Sequence, residues 1–165
     1  MKYTIFSLGN PGAEYKYTRH NAARVVCENI NWTEVKAEHV VPDTFMNESG
    51  IYIKNYLKYK QAVVPIVVYD DIDLPFGVIK LSIGKSSGGH NGLQNVIDQL
   101  GTKDFIRIRI GISGKPHPEM LLQDYVLSKL SNTEIDTLKN LKDKMTDIIN
   151  TIVTDGLEKA MEKYN

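Results

Sequence analysis

The chain contains a single cysteine, Cys27, which excludes an internal disulfide framework and fits a reducing compartment. Long apolar runs are missing. The longest charge-free one, Gln61 to Tyr69, is far too short to span a bilayer. The opening residues MKYTIFSLGNPG hold no signal-peptide core, because Gly9 and Pro11 interrupt the apolar stretch. A cytoplasmic location is therefore expected. Neither sign of charge is in excess: Lys plus Arg is 20, Asp plus Glu is 20, and the formal net charge is zero. That argues against a broad nucleic-acid surface, which shows as a basic domain, and leaves room for a local basic patch. Repeats and low-complexity tracts are absent. No complete phosphate-loop motif is present, and no His-x-x-x-His or Cys-x-x-Cys spacing marks a metal site. The four histidines, His20, His39, His90 and His117, are scattered. We expect no metal and no cofactor. With no nucleophile elbow read in the chain, the simplest hydrolase is a histidine base that activates water directly.

What is present is an ordinary globular composition. Of 165 residues, 42% are hydrophobic and 24% charged, which suits one domain over residues 1–165 with a sizeable core. Lys2 to Leu8 reads as a strand closed by the turn Gly9-Asn10-Pro11-Gly12. From His20 onward, Ala22, Val25, Val26, Asn29 and Ile30 recur at helical spacing. Val35 to Val41 reads as a second strand, ended by Pro42. Asn47 to Tyr59 reads as an amphipathic helix with Ile51, Ile53, Tyr56 and Leu57 inward. Val63 to Tyr69 is a near-continuous apolar run, the mark of a strand buried on both faces. Val78 to Ile83 is another strand. A glycine-rich loop, Ser86 to Gly92, leads into a short helix over Leu93 to Leu100. Phe105 to Ile112 alternates isoleucine with Arg107 and Arg109, which predicts a strand with one polar face. Ser131-Asn132-Thr133-Glu134 is a capping box. It opens one long helix carrying Ile135, Leu138, Leu141, Met145, Ile148, Ile149 and Ile152, ended by Gly156. Strands alternating with helices make an α/β fold.

Four polar clusters fall at strand ends or helix starts, where open α/β sheets place their ligands. They are Asn10 in its turn, Thr18-Arg19-His20-Asn21, Met46-Asn47-Glu48-Ser49-Gly50, and Ser86-Ser87-Gly88-Gly89-His90-Asn91-Gly92. A histidine facing a helix N-terminus has its pKa lowered and stays able to accept a proton. Paired glycines before a helix expose backbone N–H groups to an anion or a carbonyl. Asp70, Asp71 and Asp73 form an acidic corner that could orient a histidine, bind a metal or cap the strand end. Taken singly, each cluster is explained as well by a turn or a cap.

Taken together and in order, these segments resemble the bacterial-type peptidyl-tRNA hydrolase family. The resemblance rests on Leu8-Gly9-Asn10-Pro11-Gly12 with Tyr15, Thr18-Arg19-His20-Asn21, Pro42-x-Thr44-Phe45-Met46-Asn47-x-Ser49-Gly50, and Asp70-Asp71-Ile72-Asp73-Leu74-Pro75-x-Gly77. It continues through Gly88-Gly89-His90-Asn91-Gly92-Leu93, Phe105-x-Arg107-x-Arg109-x-Gly111, and the tail Gly156-Leu157-Glu158-Lys159-Ala160. It implies a single α/β domain with a twisted, mostly parallel mixed sheet flanked by helices. The implied activity is cleavage of the ester joining a peptide to the 3′ ribose of tRNA.

On that resemblance, His20 is the general base and Asp70 fixes its tautomer. Asn10, Tyr15, Met46, Asn47, His90 and Asn91 bind substrate, with Asn47 and Asn91 on the peptide backbone. The family's basic pair for a tRNA phosphate falls on Arg109, while its lysine position holds Ser82, leaving Lys80 or Lys85 as substitutes. The implied partner is peptidyl-tRNA, with no membrane, no obligate protein partner and a monomeric state. Between the first helix and Asn47 the chain is about twenty residues short of the family pattern, a hairpin's worth, which implies a sheet short of strands there. Ala22 or Ala23 stands where the family usually carries glycine. A non-catalytic RNA-binding relative of the same fold, and an esterase for small N-acyl esters, are the competing readings.

Overall fold

The computed structural model describes residues 1–165. Five strands form one sheet: β1 (Lys2–Ser7), β2 (Glu38–Val40), β3 (Val63–Asp71), β4 (Ile79–Ile83) and β5 (Ile106–Gly111). Their order is β2-β1-β3-β5-β4. All neighbours run parallel except β4, which is antiparallel to β5. The helices are α1 (Ala22–Glu28), α2 (Ser49–Leu57), α3 (Asn91–Leu100), α4 (Leu122–Val126), α5 (Asn132–Lys139), α6 (Lys142–Asp155) and α7 (Leu157–Tyr164). Short 3-10 turns precede α1 at Arg19–Asn21 and α2 at Met46–Glu48. No helix is long and apolar enough to cross a membrane.

The sheet is covered on both faces. Ile5, Ile66, Val68, Ile108 and Ile110 pack with Ala22, Ala23 and Val26 of α1 and with Ile148, Ile149 and Ile152 of α6. Phe6, Val67 and Tyr69 pack on the other face with Met46, Ile53, Leu93, Val96 and Ile97. The continuous apolar run of β3 is thus explained: Val67 and Val68 point to opposite faces, and both are fully buried. This is the mostly parallel, mixed α/β sheet that the sequence implied.

Three expectations need correction. The second strand pairs only over Glu38–Val40. Val35 instead closes a 3-10 turn and enters the core, and the Lys36 N–H bonds Asn150 Oδ1. Ile51 is 41% exposed, so α2 turns only Ile53 fully inward. The helix after the capping box is two helices, broken at Asn140–Leu141 without glycine or proline. The break lets α5 and α6 each pack against α1. The polar face of β5 is as expected, with Arg109 lining a cleft and Arg107 0% exposed. Its Nη1 donates to the Ser86 carbonyl and its Nη2 to the Lys103 carbonyl. The glycine-rich loop covers it.

Gly50 sets how closely α2 approaches α3. A Cβ there would lie 2.2 Å from the Asn95 carbonyl oxygen and 2.7 Å from Val96 Cα, and backbone cannot swing aside as a side-chain tip can. Gly50→Ala therefore overpacks the junction and destabilises the protein by about 1–3 kcal/mol. A thermal melt checks this, and an unchanged Tm would mean that the two helices separate freely.

Candidate active site

A cleft of about 750 Å³ opens at the C-terminal ends of β1 and β3, the expected ligand position for such a sheet. Asn10, Tyr15, His20, Met46, Asn47, Asp70, Lys85, His90, Asn91 and Arg109 all line it. The ten residues singled out in the sequence thus come together, from six separate segments.

Asp70 sits at the centre, 2% exposed. His20 Nδ1 lies 2.8 Å from Asp70 Oδ2, and His90 Nε2 lies 2.8 Å from Asp70 Oδ1. Burial alone would raise the Asp70 pKa, but the charges and hydrogen bonds of His20 and His90 hold it well below the usual carboxylate range. The ionised carboxylate only accepts, so each histidine presents an N–H to it. The His90 tautomer is fixed from its other side as well. Its Nδ1 accepts the Leu93 N–H at 3.0 Å as the N-cap of α3. His20 Nδ1 carries its proton toward Asp70, which leaves the Nε2 lone pair free on the cleft side.

His20 does not behave as a histidine held neutral by a helix dipole. It lies in the 3-10 turn ahead of α1. Burial pushes its pKa down, but the Asp70 charge and hydrogen bond outweigh burial and leave it above 6.5. The three side chains His20, Asp70 and His90 also form a cluster of metal-ligand type. In the arrangement seen, each histidine nitrogen that faces Asp70 shares a proton with its carboxylate.

Asn10 is clamped by a second asparagine. Its N–H donates to Asn21 Oδ1 and its carbonyl accepts from Asn21 Nδ2, each at 2.9 Å. Asn10 Oδ1 then accepts the Met46 N–H at 2.7 Å. That fixes the amide orientation and leaves its Nδ2 as a donor at the cleft wall. Asn47 and Asn91 are exposed and uncommitted, on the 3-10 turn before α2 and at the start of α3. Tyr15 meets Phe45 edge-on at 6.2 Å.

The basic corner is less open than the sequence suggested. Arg109 Nη1 pairs with Asp71 Oδ2 at 3.0 Å, while Lys80 reaches the terminal Asn165 and does not line the cleft. Lys85 lies exposed on the rim. Ser82, at the lysine position, is buried with its Oγ unpartnered.

Sequence reasoning missed several participants. Asn21 as the clamp of Asn10 lay inside a quoted motif. Phe45, 52% exposed at the cleft, did too. The wall built by Leu122, Gln123, Val126 and Leu127 on and beside α4 has no sequence signature. One string was overlooked: Gly84-Lys85-Ser86-Ser87-Gly88 spells Gly-x-Ser-x-Gly. It is no nucleophile elbow. Ser86 lies exposed in a loop, and the next helix starts only at Asn91, whereas an elbow needs a sharp strand-to-helix turn.

The chain is similar to known proteins along nearly its whole length. The family model described as peptidyl-tRNA hydrolase matches residues 4–165. A peptidyl-tRNA hydrolase of Fervidobacterium nodosum is 39% identical, covering 98% of this chain and 94% of its own length. One from Geotalea daltonii is 34% identical, covering 98% and 95%. The crystal structure of peptidyl-tRNA hydrolase from Acinetobacter baumannii superposes with a TM-score of 0.84 at 27% identity, covering 99% of this chain and 94% of that one. With the histidine–aspartate–histidine centre and its asparagines in one cleft, and with relatives of this kind along nearly its whole length, the chain belongs to the peptidyl-tRNA hydrolase family.

Proposed function

We propose that this enzyme hydrolyses the ester between a peptide and the 3′ ribose of peptidyl-tRNA, with His20 as general base and Asp70 as its orienting partner. The observation that carries this reading is the His20 Nδ1–Asp70 bond, which turns a free Nε2 lone pair toward the cleft. Water held at Nε2 gives up a proton as its oxygen attacks the ester carbonyl. Asp70 stabilises the imidazolium that forms. The imidazolium then protonates the departing ribose oxygen, which restores the base and releases a peptide acid and free tRNA. Asn10 Nδ2 offers a hydrogen bond to a carbonyl in the cleft. Asn47 and Asn91 can each donate to a peptide carbonyl and accept from an N–H, so they read peptide backbone without reading side chains. Met46, Tyr15 and His90 shape the wall around them. The enzyme acts as a cytoplasmic monomer in this reading.

The direct test is release of acylated peptide from tRNA by the purified protein, followed on an acid gel. No release, with tRNA still bound, would favour the non-catalytic RNA-binding alternative. Release from small N-acyl esters at the same rate would favour the small-ester esterase.

Arg109 and Lys85 serve the tRNA phosphate in this proposal. Each phosphate contact adds about 0.7–0.9 to the slope of log K against log salt. Lys85→Ala and Arg109→Ala are each expected to flatten the slope for tRNA by about that amount. If Arg109→Ala lowers Tm and leaves the slope alone, Arg109 serves only as the partner of Asp71.

A further inference from the structure

His20 is preceded by an arginine that the reaction scheme does not use. Arg19 is nearly buried, with 13% of its side chain exposed. Its Nη1 donates to Ser128 Oγ and to the Lys129 carbonyl, both at 2.8 Å. Its Nη2 donates to both oxygens of Glu134, at 3.0 and 3.1 Å. The guanidinium carbon stands 4.8 Å from the Tyr125 ring centre. Backbone bonds reinforce the contact: the Arg19 N–H reaches the Ser128 carbonyl, and the Leu130 N–H reaches the Tyr17 carbonyl.

Every one of these partners belongs to α4, to the start of α5 or to the strap between them. That region also walls the cleft through Leu122, Val126 and Leu127. Tyr125 is tied back to the end of β5 by its hydroxyl, which donates to the Ile112 carbonyl at 2.6 Å. Glu134 does double duty: its Oε1 accepts the Ser131 N–H of the α5 capping box as well as Arg19. One planar fork therefore joins the turn that carries the base to the far wall of the cleft. Lysine cannot reproduce that fork.

We infer that Arg19 is a positioning residue for the hydrolysis, locking the His20 turn to the α4–α5 strap so that the base and the cleft wall move as one piece. The inference rests on His20 being the base. A misplacement of about 1 Å at a reacting group costs on the order of 10²-fold in rate. Loosening the fork should therefore lower kcat much more than it raises KM.

Three variants separate positioning from mere stability. Arg19→Lys keeps the charge and loses the fork. Glu134→Gln keeps a capping side chain, since Gln also serves at that position, but loses the ion pair. Ser131→Ala breaks the α5 cap and leaves the fork intact. For Arg19→Lys and Glu134→Gln we expect kcat to fall about 10–10²-fold with KM within about twofold. The double variant should be little worse than either single one. Ser131→Ala should lower Tm by about 2–4 °C and keep kcat within about twofold. A readout independent of turnover is the NMR resonance of the His20 Nδ1 proton held by Asp70, assigned by its loss in His20→Ala. It should weaken in Arg19→Lys and persist in Ser131→Ala. Wild-type kcat and an unaltered resonance in a folded Arg19→Lys protein would overturn the inference, as would an equal kcat loss in Ser131→Ala. Absence of turnover in the wild type would strike the assignment of the base, while the resonance would still report on the clamp.

Discussion

His20→Ala is expected to lower kcat for peptidyl-tRNA by about 10²–10⁴-fold, the usual worth of a positioned general base. In barrier terms that is about 2.7–5.4 kcal/mol. The fold should survive. The His20 side chain lines the open cleft, so water can fill the space that its removal leaves. Its removal also leaves the buried Asp70 with one strong partner, because His90 still donates to Oδ1. A buried carboxylate stripped of both donors would be costly; one that keeps a donor is tolerated. The cleft-lining amides Asn10, Asn47 and Asn91 stand on other segments, so KM should change little, and tRNA binding should persist in the inactive variant. The check is single-turnover release of peptide beside a melting curve. Activity within about tenfold of wild type in a folded His20→Ala protein would end the water-activation scheme.

The sequence made the middle of the sheet legible and its trimmings less so. Val63 to Tyr69 announced a doubly covered strand because burial on both faces erases the alternation of side chains, and β3 is that strand. The capping box at Ser131 and the stop at Gly156 are local chemistry, and both stand where the residues placed them. The break at Asn140–Leu141 carries no local signal. It arises because two helices must each meet α1, and tertiary packing overrides a periodic pattern that runs straight through. The alternation of Ile106 to Ile110 gave the correct strand and its polar face. Periodicity says that Arg107 and Arg109 share a face, but not that a glycine-rich loop folds over that face. In the site, the resemblance named the residues, yet their bonds came only with the fold. His90, expected beside the peptide groove, lines the cleft and is also the second donor to Asp70. Arg109, expected at a phosphate, lines the cleft and also pairs with Asp71.

Asp70→Asn is the sharper test, because the variant keeps the shape and changes only what the group can accept. Asp70 accepts one N–H on each oxygen, from His20 on Oδ2 and from His90 on Oδ1. An asparagine has one acceptor oxygen and one amino group that only donates, so one of the two histidines must meet a donor. His90 cannot yield cheaply: its Nδ1 is already taken by the Leu93 N–H, which keeps the proton on the nitrogen facing position 70. His20 can yield, since its Nε2 looks into the open cleft and a proton can move there. The amino group of the introduced asparagine therefore turns toward His20, the His20 tautomer inverts, and the lone pair that served as base is lost from the cleft. The expected result is a fall in kcat of about 10³–10⁴-fold, the scale of a base held in the wrong tautomer, with KM nearly unchanged.

The pH profile should move as well. In the wild type, the Asp70 charge lifts the His20 pKa above 6.5 against the pull of burial. The base works unprotonated, so kcat/KM climbs with pH through that raised value and levels off above it. Removing the charge leaves burial unopposed, so the residual activity of Asp70→Asn should climb at a lower pH, below 6.5. His20→Ala added to Asp70→Asn should cost little more than either change alone, because the two residues act as a unit. Asp71→Asn, which disturbs the Arg109 pair and the bond from the Asp73 N–H and leaves both histidine partners of Asp70 in place, should cost far less. A defect in Asp70→Asn confined to KM would place Asp70 in contact with substrate. An acid limb that stays put would mean that some other group sets the protonation of His20.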